Sequence, residues 1–146
     1  MNWLFLAILT AFCFGLYNFF LKTASGNIHQ IAGAVILQLV AALAGLMLLL
    51  YFKTTKQALP ITQKGVLQAC LAGLCVGLAE MLSFVVFSKN VPASVGTPVI
   101  IGGSILVTTL LGYFFLRESL NGWQMLGLVL VIAGIALLSA GQNSGH

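Results

Sequence analysis

Polar residues interrupt this chain at few places, and the interruptions divide it into five long apolar runs. The first runs from about Trp3 to Leu21 and closes on Lys22 and the polar stretch Thr23 to His29, where Ser25, Gly26 and Asn27 make a natural turn. A second run, about Gln30 to Phe52, ends on the aromatic and basic group Tyr51, Phe52 and Lys53. The longest loop follows, Lys53 to Lys64, with Pro60 in it. A third run extends from about Gly65 to Ser88 and stops at Lys89, Asn90 and Pro92, because proline and the residue before it disfavour continued helix. The fourth spans about Ser94 to Leu116, and the polar link Arg117 to Gly122 leads into the fifth, about Trp123 to Ala140. The tail, Gly141 to His146, reads as flexible.

Each run is near the roughly 20 residues that an α-helix needs to cross hydrocarbon. Irregular backbone does not face lipid, and the strict alternation of a barrel strand is absent. The pattern therefore predicts an all-α membrane protein, a bundle of five transmembrane helices forming one domain over residues 1–140. Composition agrees: of 146 residues 60% are apolar and 5% charged, with a mean hydropathy of +1.11. Soluble domains hold about 45–50% apolar and about 25% charged residues. No basic residue precedes the first run, and it is longer than a signal-peptide core, so it reads as a retained helix.

The charge of +4 rests on Lys22, Lys53, Lys56, Lys64, Lys89 and Arg117 against Glu80 and Glu118. No basic block points to nucleic acid. An odd number of crossings puts the termini on opposite sides. One set of loops then holds Lys53, Lys56, Lys64 and Arg117 and the other only Lys22 and Lys89, a bias that favours a cytoplasmic N-terminus. Cys13, Cys70 and Cys75 lie inside apolar runs without a Cys-x-x-Cys or zinc spacing and read as small hydrophobes. His29 and His146 are peripheral, and there is no phosphate loop. Nothing here predicts an enzyme, a metal or a cofactor.

Glu80 alone among the charges interrupts a run. It lies eight residues before the end of the third helix, about 12 Å deep at 1.5 Å per residue. A carboxylate there costs on the order of 3 kcal/mol, so it should face a cavity and would be able to exchange protons during a transport cycle. A neutral glutamic acid bonded to a neighbouring helix is the structural alternative. In the first helix Tyr17, Asn18 and Lys22 are polar, and Asn18 and Lys22 share a face. Asn18 and Glu80 occupy the same half of the membrane and would line one cavity if their helices are neighbours. Lys22 reads equally well as a snorkelling interfacial lysine.

Gln38, near the middle of the second helix, must hydrogen-bond either a solute or the third helix. In the fourth helix Ser94, Thr97, Ile101, Ser104 and Thr108 form a mostly hydroxylated stripe beside Pro98, which frees the Ser94 carbonyl one turn earlier. Such breaks are tolerated where water, protein or a ligand satisfies the backbone. Gly73 and Gly77 in the third helix, and Gly127 and Gly134 in the fifth, give small-residue faces suited to close helix packing.

The segment Val91 to Ala140 resembles the final two helices of the EamA domain in the drug/metabolite transporter superfamily. The likeness lies in order: an early proline, an aromatic-rich helix end, then Arg117-Glu118-Ser119-Leu120, then Gln124, Gly127 and Gly134. "FGLYNFFLK", Phe14 to Lys22, looks like the glycine, asparagine and lysine pattern of that family's first helix. The resemblance implies secondary transport, often export, of small metabolites or drug-like solutes across a bacterial inner membrane. Many members carry two five-helix halves in inverted orientation; this chain carries one. It implies a subunit working as an antiparallel homodimer or with a related five-helix partner. The arginine frequent in the family's second helix falls at Gln38 by its spacing from Lys22, and the first-helix acid of the small multidrug exporters is absent. The assignment of proton coupling to Glu80 therefore comes from its burial. The competing reading is a non-transporting subunit, or one half of a lipid-carrier flippase, acting with a related partner.

Overall fold

The computed structural model describes residues 2–55 and 58–143. Its elements are α1 (Trp3–Ser25), α2 (Gln30–Thr54), α3 (Gln63–Ser88), α4 (Ala93–Phe115) and α5 (Gly122–Asn143). All five are long and apolar enough to cross a membrane, and among the described residues there is no strand. The five-helix, all-α class expected from the sequence is what the chain adopts.

The helix ends follow from particular side chains. The Asn2 carboxamide accepts the Leu4 N–H at 3.4 Å to start α1, and Thr62 Oγ1 accepts the Gly65 N–H at 3.1 Å to start α3. At α5 Asn121 and Gln124 exchange bonds, Gln124 N–H to Asn121 Oδ1 at 2.9 Å and Asn121 N–H to Gln124 Oε1 at 2.8 Å. This reciprocal arrangement satisfies two donors that a helix start otherwise leaves orphaned. Asn90 (φ 63) and Arg117 (φ 55) take left-handed conformations just after α3 and α4 and turn the chain out of each helix.

Several boundaries differ from those read off hydropathy. α1 continues past Leu21 to Ser25, because Thr23 and Ser25 return their hydroxyls to the carbonyls of Phe20 and Lys22, and neither residue breaks a helix. The first turn is correspondingly shorter. α5 runs through Asn143, so Gly141–Asn143 are helix where a flexible tail was expected. The rest of that tail, residues 144–146, and Lys56 in the long loop lie outside the described residues.

The chain forms two compact units, one holding α1–α3 and the other α4–α5. In the first, most of the buried residues gather at one end: Leu21 and Ser25 of α1, Gly33 and Ala34 of α2, Phe84 and Phe87 of α3. Gly33 is necessary there, since a Cβ on it would lie 2.6 Å from the Phe84 ring. The other end is unpacked; Trp3 to Leu16, Leu39 to Phe52 and Gln63 to Val76 are exposed throughout. In a bilayer such apolar surface is solvated by lipid tails, so close packing is limited to places where small residues let backbones approach. In the second unit that place is Gly102, where a Cβ would lie 2.8 Å from Ile135 Cγ1 of α5.

Gly73, Gly127 and Gly134 were expected on packing faces. Among the described residues a Cβ on any of them meets nothing within 4 Å, so none makes a close contact within its own unit. For Gly73 the reason is position: it lies in the unpacked half of α3. Gly77, one turn further along, is buried under the Gln38 side chain.

Candidate functional site

Glu80 is half-buried, and the Tyr17 hydroxyl of α1 donates a hydrogen bond to its Oε2. α1 and α3 are packed neighbours. Their parallel course brings residue 17 level with residue 80, and Lys22 level with Phe87. The sequence placed Asn18 and Glu80 in the same half of the membrane, but the residue that meets the acid is Tyr17. Asn18 is one position, about 100° of helix, further round, and its amide donates to the Phe14 carbonyl of its own helix at 2.8 Å.

Gln38 reaches α3. Its Nε2 lies 3.4 Å from the Gly77 carbonyl, a long bond one turn below Glu80. Helix three is one of the two partners the sequence allowed for it. Tyr17, Gln38, Gly77 and Glu80 thus form a polar layer across the three-helix unit. It sits at the boundary between the packed end and the unpacked end.

Lys22 does not snorkel outward. Its ammonium turns inward and donates to the Phe87 carbonyl at 3.0 Å, 5.9 Å from the centroid of the Phe87 ring. Beside these contacts an apolar cleft of about 380 Å³ runs between α1 and α2 with Phe84 on its wall. Tyr17, Phe20, Leu21, Ile36 and Leu37 also line it. Tyr17 therefore belongs to both the cleft and the acid, its ring presenting an apolar body and its hydroxyl a polar tip.

The candidates on α4 are described within their own unit. Pro98 lies inside the helix. Ser104 is exposed and returns its hydroxyl to the Ile101 carbonyl at 2.7 Å, which leaves it no free donor toward a solute. Thr109 does the same with Ile105. Thr97 departs from this habit: its Oγ1 is buried and, among the described residues, has no hydrogen-bond partner, next to the proline. Of the hydroxyl stripe, Thr97 alone is left with an unmet polar need in the interior. Near the end of α4 the Gly112 carbonyl accepts the N–H groups of Leu116 and Glu118 at 3.1 Å each. A Cβ on Gly112 would lie 2.6 Å from Glu118 Oε2.

Cys13, Cys70 and Cys75 are free and exposed. Among the described residues no three His, Cys, Asp or Glu side chains come together in a way that would hold a metal ion. The close contacts at Gly33 and Gly102 were not anticipated from the sequence, although the Gly33–Ala34 and Gly102–Gly103 pairs carried the signal. The inward turn of Lys22 has no such signal, since no local pattern encodes it.

Residues 1–140 match the EamA-like transporter family. An uncharacterized protein of Methanocaldococcus jannaschii is 29% identical over 134 residues, which cover 92% of this chain and 93% of that protein. No solved structure matches the chain.

Proposed function

The chain belongs to the EamA-like transporter family, and from that premise we propose that it is a secondary-transporter subunit exporting a small metabolite or drug-like solute as a dimer, with Glu80 as the group that exchanges protons or binds a cationic moiety. Members of this family are transporters rather than enzymes, and the chain fits one five-helix half of the family architecture. The observation that carries the reading is Glu80 itself, a half-buried carboxyl inside a membrane-spanning helix, held by Tyr17 from another helix.

A carboxyl at that depth is retained against an insertion cost on the order of 3 kcal/mol, which is the usual mark of an ion or solute pathway. Tyr17 offers a donor that the carboxyl can exchange for a solute or a proton. The adjoining cleft offers an apolar wall for the body of a solute. Gln38 belongs to this layer and Asn18 flanks it; in the α4–α5 unit the candidate contacts are Thr97, with its buried hydroxyl beside Pro98, and Ser104, whose oxygen can still accept. The partner half is an antiparallel second copy or a related five-helix chain.

The test is Glu80→Gln in proteoliposomes, with solute flux followed across an imposed pH gradient. The expected result is loss of gradient-driven flux. Unchanged, still pH-driven transport in a correctly inserted variant would remove Glu80 from the mechanism.

A further inference from the structure

The last turn of any helix leaves carbonyl groups without intrahelical donors, and when they are buried each needs a partner. At the end of α3 the partners can be followed one by one. The Val85 carbonyl accepts the Ser88 hydroxyl at 2.8 Å, and the Val86 carbonyl accepts the Lys89 N–H at 3.2 Å. Beyond them Asn90 turns left-handed and leads the chain away, so α3 supplies no donor for Phe87. Phe87 is the most enclosed large side chain of the unit, 1% exposed. Its carbonyl is bonded by the Lys22 ammonium of α1 at 3.0 Å.

Lys22 is thus a cation placed at the negative end of the α3 dipole, a favourable position that adds to the hydrogen bond. Its own turn is held in place by Ser25, buried, whose hydroxyl bonds the Lys22 carbonyl at 2.8 Å. The apolar side chains around it, Leu21, Phe84 and Phe87, plug the same end. In water such a plug would hold itself closed. In a bilayer lipid tails solvate these side chains nearly as well as they solvate one another, so apolar contact alone gives little net closure. The polar bond between the helices is the directional contact that ties α1 to α3 at this end. Lys22 is only half-buried and lies at a helix end, so its ammonium can return to water when the bond breaks.

We propose that Lys22 is the latch of this end: bonded to the Phe87 carbonyl it keeps α1 against α3 and shuts the Tyr17–Glu80 layer off from the water at the α1–α2 turn, and its release opens that side. Lys22 acts as a positioning residue through the α1–α3 contact and does not touch the solute. The inference rests on Glu80 being the transport group only for its functional meaning. The latch itself is read from accessibility, which does not depend on transport.

The experiment places a single reporter, Ala34→Cys, at the packed end, where Ala34 is 0% exposed, in a full-length chain with Cys13→Ala, Cys70→Ala and Cys75→Ala. Labelling by a membrane-impermeant maleimide is timed in sealed vesicles. The relevant side is identified by Asn27→Cys, which lies in the exposed α1–α2 turn. Lys22→Met should raise the labelling rate of the buried reporter about tenfold from that side, the order by which loss of one charge-assisted hydrogen bond shifts a two-state equilibrium. Lys22→Arg, which keeps a charged donor of similar reach, should restore the slow rate. If Lys22→Met does not insert, Lys22→Gln, a shorter and uncharged donor, should raise the rate in the same direction. A slow rate in whichever neutral variant inserts overturns the latch. So does an equal rise in Lys22→Arg, which would mean that any change at this position loosens the packing. Fast labelling in the neutral variant with slow labelling in Lys22→Arg supports the latch even if Glu80→Gln transports normally, and in that case only the role of Glu80 falls.

Discussion

Replacing glycine by alanine at Gly33 and at Gly73 is the same chemical change in two membrane helices, and the structure predicts opposite signs. At Gly33 the new methyl would lie 2.6 and 2.8 Å from two atoms of the Phe84 ring and 3.1 Å from Ile28 Cγ2. Phe84 is 2% exposed, so the methyl must either push its ring toward the adjoining cleft, breaking its present packing, or force α2 to retreat from α3. Overpacking of this kind costs about 1–3 kcal/mol. Alanine returns up to about 1 kcal/mol through its helix preference over glycine. The net expectation for Gly33→Ala is a loss of up to about 2 kcal/mol. At Gly73 nothing lies within 4 Å of the added methyl, so only the favourable term of up to about 1 kcal/mol remains. The assay is reversible unfolding by sodium dodecyl sulfate titration in mixed micelles, followed by circular dichroism. Gly33→Ala/Phe84→Leu should recover part of the loss by removing the ring that the methyl strikes. If Gly33→Ala were as stable as Gly73→Ala, α2 and α3 would not be in contact at Gly33, and the packed end that positions Lys22 and Tyr17 would be misplaced.

Three further outcomes follow from the same contacts. Tyr17→Phe should destabilise the protein by about 1–3 kcal/mol because it leaves a half-buried carboxyl without its donor; in a double-mutant cycle with Glu80→Gln the two effects should be strongly non-additive, and additivity within about 0.5 kcal/mol would show that the groups do not interact. Gly102→Ala should destabilise the α4–α5 unit because its methyl runs into Ile135. Ile135→Ala in the same chain should relieve that clash, measured by the same titration. Asn121→Ala removes one arm of the reciprocal cap on α5 and should cost about 1 kcal/mol; faster amide exchange in the first turn of α5 is the local signature.

The sequence by itself determined the number of helices, their approximate ends and the solvent they occupy. These are local sums: about 20 apolar residues in succession have one stable form in hydrocarbon, whatever lies beside them. It also singled out Glu80, because a charge in such a run is conspicuous without any structure, and the residue order around Arg117-Glu118-Ser119-Leu120 carried the family resemblance. The last turn of α1 and the last residues of α5 were misread, since Thr23, Ser25 and Gly141–Asn143 are polar or small, and hydropathy does not register hydroxyls that bond their own helix.

What meets what was settled only in three dimensions. In a soluble helix the apolar stripe shows which face turns inward. Here α1, α2 and α3 are apolar nearly all round, lipid and protein neighbours look alike to an apolar side chain, and the stripe that would orient each helix is missing. Orientation is decided instead by a few polar bonds and by places where glycine permits approach. Nothing local distinguishes Tyr17 from Asn18 as the partner of Glu80, or an inward Lys22 from a snorkelling one; the parallel register of α1 on α3 does. Gly33 and Gly73 are likewise indistinguishable along the chain, and only the position of the Phe84 ring makes one indispensable and the other replaceable.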